Sequence, residues 1–347
     1  MAVSQHISPS VSSLSLAGFR LKKYAHLAQV LFHFGGSPLG VWRNTLITPD
    51  SPLGDCIVVC ISPEGNICGY FLHAMSNSRS LSGADALFYI QLSVSADEYV
   101  SVVLVPFSKI CAIRLVHDRE NKALSLHMDN WDDSTMVYAK IDPVIQSKGD
   151  FTFPEGLYTG MYGSHGAEFV TVHYVEKDVE DKFLLQNPLP PMLKHSVPRL
   201  EGIKATGDPN VYAGKRTWVA SLHSEDRLEA SVVDAIFNDP RPVVAFTYKS
   251  EARLYDINSL RSDVLFVAKC FGQINSTAGV WNPSWVTATL IIHKPGTSTL
   301  AKGHTPFPSQ MVSILWDDIG ESSRHLIEYL PYHQRLIDRY GVWDWPS

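Results

Sequence analysis

The feature that most limits what this chain can become is its rhythm of short apolar or alternating runs, each broken by a cluster of Ser, Pro, Gly or Asp. Such runs lie near 41–46, 55–62, 67–74, 86–94, 100–105, 110–117, 123–129 and 135–140. A second series lies near 157–161, 167–175, 200–206, 216–223, 243–248, 263–270, 286–293, 310–317 and 324–330. Alternation with period two, bounded by turn residues, marks strands, because successive side chains on a strand face opposite ways. Many strands and few helices leave a barrel or a sandwich as the available architectures. The chain is therefore expected to be mainly β, a large antiparallel barrel with a short N-terminal helix and a few capping helices.

Two stretches read as helix. Over 19–36, Tyr24, Leu27, Leu31 and Phe34 recur at helical spacing before Gly35-Gly36 stops the run. From Glu225 to Phe237, Leu228, Val232 and Ile236 share one face and predict a local cap over a sheet or barrel end. The first residues are rich in Ser and free of acid, a composition that transit peptides share with disordered leaders, and 1–18 reads as a disordered leader. The expected plan is leader, helix 19–36, barrel domain 37–335 in two strand series (about 37–150 and 151–335), and a tail over 336–347.

A weak echo links the two series. Gly40-Val41-Trp42 opens the first and Gly156-Leu157-Tyr158 the second, and Gly279-Val280-Trp281 and Gly341-Val342-Trp343 repeat the pattern. A glycine before an aromatic lets a strand enter tightly while the ring plugs a barrel end.

Composition removes several function classes. With 29 basic and 35 acidic residues, a net charge of -6 and no block of like charge, the chain lacks the clustered Lys and Arg that phosphate contacts need, so no nucleic-acid partner is expected. No run reaches the roughly 18 apolar residues of a membrane helix, and no membrane partner is expected. Five cysteines, an odd number without C-x-x-C spacing, point away from a disulfide scaffold and a cysteine zinc site and towards a reducing compartment, cytoplasmic or nuclear.

Two glycine-rich segments carry the chemistry: Tyr162-Gly163-Ser164-His165-Gly166-Ala167-Glu168, and Lys204 through Gly207-Asp208-Pro209-Asn210 to Gly214. The first resembles a nucleophile elbow but has Tyr162 where the first Gly belongs, and a strand rather than a helix follows. It lacks the Gly-Lys-Ser/Thr of a phosphate loop, and His165 and His173 have no partner at metal-ligand spacing. No catalytic residue, metal or cofactor is expected, and the chain reads as a non-enzyme. In the second segment, alternation places Lys204 and Thr206 on one face of a strand, and Gly207-Asp208-Pro209-Asn210 forms a tight turn. One reading is a turn with Asp208 holding its own backbone. The other is a polar pocket for a peptide terminus, with Lys204 and backbone N–H groups meeting carbonyl or carboxylate oxygens and Asp208 accepting N–H groups.

These segments resemble the F-box only protein 31 family of ubiquitin-ligase substrate receptors. The family's barrel carries Gly-Leu-x-x-Gly-x-Tyr-Gly-x-His-Gly-x-Glu, matched by Gly156-Leu157, Gly160, Tyr162-Gly163, His165-Gly166 and Glu168. Its Lys-x-Thr-Gly-Asp-Pro-Asn-x-x-x-Gly is matched by Lys204, Thr206-Gly207-Asp208-Pro209-Asn210 and Gly214. The resemblance implies a lipocalin- or triabin-like barrel serving as the substrate-recognition module of a cullin-type ligase, holding short C-terminal degrons of protein substrates. By position, Lys204, Thr206, Gly207, Asp208 and Asn210 would shape the peptide pocket, with Tyr162, His165 and Gly166 in the neighbouring loop. The family's F-box and its Cys/His-rich insertion have no counterpart in this sequence, so no zinc site is carried over, and an adaptor partner is expected only with an F-box upstream. A stand-alone lipocalin-like barrel for a small apolar ligand is the other expectation.

Overall fold

A computed structural model describes residues 5–7, 40–45, 54–61, 67–72, 86–92, 100–104, 110–118, 123–132, 134–141, 154–162, 166–176, 189–193, 197–208, 211–246, 252–274, 284–294, 310–317 and 322–331. The expected helix 19–36 and the C-terminal tail lie outside them. The chain divides into two compact units, and the boundary falls between Asp142 and Pro143 apart from Pro49–Leu53, which goes with the second unit.

The first unit is an antiparallel sheet built from β1 (Gln5–Ile7), β2 (Gly40–Asn44), β3 (Cys56–Ile61), β4 (Ile67–Leu72), β5 (Ala86–Leu92), β6 (Val100–Leu104), β7 (Ile110–Asp118), β8 (Ala123–Asn130) and β9 (Thr135–Ile141). The order across the sheet is β1-β6-β5-β4-β3-β2-β9-β8-β7. Strand β1 falls inside the stretch expected to be a disordered leader and pairs Gln5–Ile7 with Val100–Val102. Trp42, Cys56, Val58, Cys68, Tyr70, Phe88, Met128 and Tyr138 are buried.

The second unit contains a closed barrel. Its strands are β10 (Gly156–Met161), β11 (Ala167–Val175), β12 (Arg199–Lys204), β13 (Arg216–Ser221), β14 (Val243–Phe246), β15 (Ala252–Tyr255), β16 (Val264–Ile274), β17 (Ser284–His293), β18 (Val312–Asp317) and β19 (Arg324–Pro331). Antiparallel pairing runs β10-β11-β12-β13-β16-β17-β18-β19 and returns to β10 through Tyr158↔Pro331 and Thr159↔Leu330, giving an eight-stranded ring with no free edge. Strand β19 forks: its end closes the ring, while its start pairs in parallel with β14, Val243↔Arg324, and so carries the β14–β15 hairpin outside the barrel.

Alternation sorts the side chains. Tyr158, Val170, Val172, Leu200, Trp218, Cys270, Leu290, Ile292, Ile314 and Tyr329 form one buried cluster inside the ring. Val267, Ile291, Leu315 and Leu326, on the other face of the same strands, pack with Phe237, Ile257 and Leu260 in a second cluster. Phe237 comes from α1 (Ala230–Phe237), and Ile257 and Leu260 come from a 3-10 helix, Ile257–Asp263. Burial on both faces explains why 290–292 reads as an unbroken Leu-Ile-Ile run.

The helix expected from Glu225 starts only at Ala230. Leu228 reaches the core from an extended segment, its N–H bonded to Val267 O at 3.2 Å, and therefore drops out of the helical phase. Val233, Ile236 and Phe237 face the core, while Val232 is 43% exposed. Buried Arg324 donates to Ile236 O at 2.7 Å, satisfying a carbonyl in the last turn of α1.

Inside the ring, three glycines make room for large rings. Gly202 and Gly272 flank Trp218 in register on the two neighbouring strands. A Cβ on Gly202 would lie 2.2 Å from the Trp218 ring, one on Gly272 2.1 Å from Trp316, and one on Gly160 2.8 Å from Tyr329. Gly202→Ala should therefore destabilise the protein by about 1–3 kcal/mol through overpacking, and Trp218→Ala by about 3–5 kcal/mol through the cavity it leaves. In urea denaturation the double variant Gly202→Ala/Trp218→Leu should cost less than the sum of its single substitutions, because the removed ring is what the methyl strikes.

Candidate functional site

The two glycine-rich segments meet at one end of the closed barrel of the second unit. The β10–β11 turn closes with the Tyr162 N–H donating to Gly166 O at 2.8 Å, and buried Gly166 holds φ +89°, a left-handed conformation that glycine takes freely. The second segment leaves the sheet at Lys204. The chain bends there, so Thr206 is not the strand residue that alternation predicts. The Ala205 and Thr206 N–H groups both donate to Phe169 O, at 2.8 and 3.2 Å, and Thr206 Oγ1 accepts the Phe169 N–H at 2.9 Å.

The loop returns to the sheet through Gly214, whose N–H donates to Lys204 O at 2.7 Å with φ +76°. Asp208 closes a smaller ring within it, accepting the Val211 N–H on Oδ1 at 2.6 Å while its own N–H donates to Val211 O at 3.0 Å. The turn reading of Asp208 thus describes one of its carboxylate oxygens.

Its other oxygen, Oδ2, lies 2.5 Å from Lys204 Nζ. The same ammonium lies 2.5 Å from Glu168 Oε2 and sits over the Tyr162 ring, 4.1 Å from its centroid. Lys204, Glu168 and Asp208 are all buried. The Tyr162 hydroxyl continues the network to Tyr329 at 2.5 Å and to Thr217 at 3.1 Å. Thr217 is the extra residue of a bulge in β13 opposite Gly202/Ile203.

Burial sets the protonation of this cluster. It pushes Glu168 well above the usual carboxylate range, further than Lys204 pulls it down, with Asp208 adding to the rise. Burial also acts to raise Asp208, but the Lys204 charge, side-chain bonds with Glu168 and Lys204, and the Val211 N–H outweigh it and hold Asp208 below its ordinary value. Desolvation drives both tyrosine hydroxyls well above their ordinary range, so they remain protonated donors.

Of the residues expected to form the site, Tyr162, Gly166, Lys204, Thr206, Gly207 and Asp208 come together here, whereas His165 and Asn210 lie outside the described residues. Lys204 points inward and is completely buried, its charge directed at two carboxyl groups of the same chain. Within the described part of the loop, Gly207, Tyr212 and Gly214 are half-buried. Glu168, Thr217 and Tyr329 were not expected as members. Glu168 had a legible signal, as the one acid in the otherwise apolar start of β11; Thr217 and Tyr329 had none. A second buried ionic group was also unexpected: Glu201 accepts from Arg199 Nε at 2.5 Å and from Arg216 Nε at 2.8 Å.

Trp218 on β13 and Tyr329 on β19 stand four strands apart in the ring, yet their centroids are 5.9 Å apart. Side chains therefore meet across the barrel interior.

Residues 138–301 match the family model described as the Cyclin D1 binding domain, a span that covers both glycine-rich segments and somewhat less than half of the chain. No curated protein matches the chain.

Lys204→Met would leave Asp208 and Glu168 buried without their cation. It should destabilise the protein by about 3–5 kcal/mol in chemical denaturation, the range for breaking one side of a buried ion pair. Tyr162→Phe, which removes only a neutral hydroxyl, should cost closer to 1 kcal/mol, as roughly one hydrogen bond's worth.

Proposed function

We propose that the second unit is a non-catalytic protein-binding module, the substrate-recognition part of a cullin-type ubiquitin ligase, working in the cytoplasm or nucleus and holding short C-terminal ends of its substrates at the Lys204–Gly214 loop. The observation that carries this reading is the match of 138–301 to the Cyclin D1 binding domain family. It makes a cyclin D1-like protein the first partner to test. The resemblance of the two glycine-rich segments to the F-box only protein 31 family supports the finer assignment.

The loop's construction suits recognition. Its ends are bonded to each other and its middle is anchored through Asp208 to Lys204, so a partner would not have to bear the cost of ordering it. Half-buried Gly207, Tyr212 and Gly214 are the loop positions that keep some contact with solvent among the described residues. Trp218 and Tyr329 meeting across the ring favour this reading over a carrier of a small apolar ligand, which would need the volume those rings occupy.

The test uses the full chain against immobilised cyclin D1 and an array of C-terminal peptides. Wild type is expected to bind, and Gly207→Arg, which adds bulk at a half-buried position of the loop, is expected to weaken binding by about tenfold or more, equivalent to roughly 1.4 kcal/mol, with its far-UV circular dichroism and melting point matching wild type. Full binding by Gly207→Arg would remove the loop from the site, and no binding by wild type to either probe would remove the reading itself. Recruitment of the ligase adaptor runs through an F-box in that family, so adaptor capture is measured separately.

A further inference from the structure

We propose that Glu168 is the positioning residue of this site: as a protonated carboxyl it braces Lys204 and Asp208 in a buried set of zero net charge and thereby fixes the Lys204–Gly214 loop. The inference rests on the binding role given to that loop above.

The charge count leads to it. Four elements present a titratable group to Glu168: Tyr162 at the end of β10, Lys204 on β12, Asp208 in the loop and Tyr329 on β19. Among the described residues Lys204 is the one cation in this set, while two carboxyl groups lie within 2.5 Å of its nitrogen. Were both ionised, an uncompensated negative charge would sit in a site walled by aromatic rings, which burial makes very unfavourable. The two carboxyl groups are not equivalent. Asp208 also accepts the Val211 N–H, which favours its anion, whereas neither oxygen of Glu168 receives a well-directed hydrogen bond.

Two carboxyl groups in side-chain contact can bond only if one of them carries a proton. The proton therefore belongs on Glu168, and the charge of the ammonium, which touches both carboxyl groups, is balanced by Asp208. Burial raising Glu168 while Asp208 is lowered agrees with that assignment. Asp208 is then a fixed acceptor for Val211, and the loop is held from inside the barrel.

Thermal unfolding of the full chain across pH reads the proton directly. The folded protein keeps a proton that the unfolded chain releases above about 4.5, so wild-type stability should fall as pH rises from there towards the raised value. Glu168→Gln, which cannot release a proton, should show a smaller fall than wild type, the remainder coming from Glu328, whose carboxyl burial raises to about 7; it should melt at or above wild type at pH 7, while Glu168→Ala should melt lower. A Glu168→Gln melting point below wild type at pH 7, with the gap widening as pH rises, would mean an ionised Glu168 paired with Lys204 and would overturn the proposal.

The second arm measures cyclin D1 binding at a temperature where circular dichroism shows all three proteins folded. Glu168→Ala should lose affinity by about tenfold or more, the 1.4 kcal/mol step, and Glu168→Gln should recover most of it. Undiminished binding by Glu168→Ala would also overturn the positioning role. Failure of wild type to bind would instead defeat the functional reading and leave the melting arm to decide the protonation of Glu168.

Discussion

The contact of Trp218 with Tyr329 across the barrel of the second unit is the interaction on which the rest depends. Both side chains are fully buried, they come from strands on opposite sides of the ring, and their rings lie 5.9 Å apart. An eight-stranded ring is just wide enough to be filled by side chains, and rings of this size span it only where a neighbour has no side chain. Gly202 supplies that space for Trp218 and Gly160 for Tyr329, while Gly272 does the same for Trp316. The barrel is in this sense built around its aromatic residues, with glycines placed where the indoles and phenols must lie flat.

From Tyr329 the interior changes character along one continuous path. Its hydroxyl meets that of Tyr162, the Tyr162 ring lies beneath Lys204 Nζ, and Lys204 meets Glu168 and Asp208. The apolar core thus grades into a polar end without a buried charge lacking a counter-charge, provided that one carboxyl holds a proton. Such a cluster is costly to assemble and costly to break, and it contributes definition of the loop more than net stability. Polar residues that look from sequence like ligand contacts are here occupied with one another.

Much of this was legible beforehand. The strand runs read from alternation correspond to β2–β14 and β16–β19, because half-buried strands write their two faces into period two. Both series open with a positive-φ glycine followed two residues later by a fully buried aromatic, Gly40 with Trp42 and Gly156 with Tyr158. Strand β15 was missed because Ala252–Leu254 are exposed and carry no apolar rhythm, and it forms by pairing with β14. The capping helix is present but begins at Ala230 rather than Glu225 and is phased differently, since Leu228 is drawn into the core by a bond to β16 that no helical count contains.

The sequence by itself determined the elements and the sites of chemical interest: strand after strand from local alternation, two turns from their glycines, and a lysine and an aspartate at the second turn. Only the tertiary structure decided what those residues face. Pairing of β11 with β12 sets Glu168 beside Lys204, and ring closure, which brings β10 beside β19, adds Tyr329 to the cluster through Tyr162. The physical reason is that alternation is a property of neighbours along the chain, whereas the partner of a buried charge is set by which strands pair and how the loop between them folds back. Composition can report that charges exist, but not that two carboxyl groups must share one ammonium.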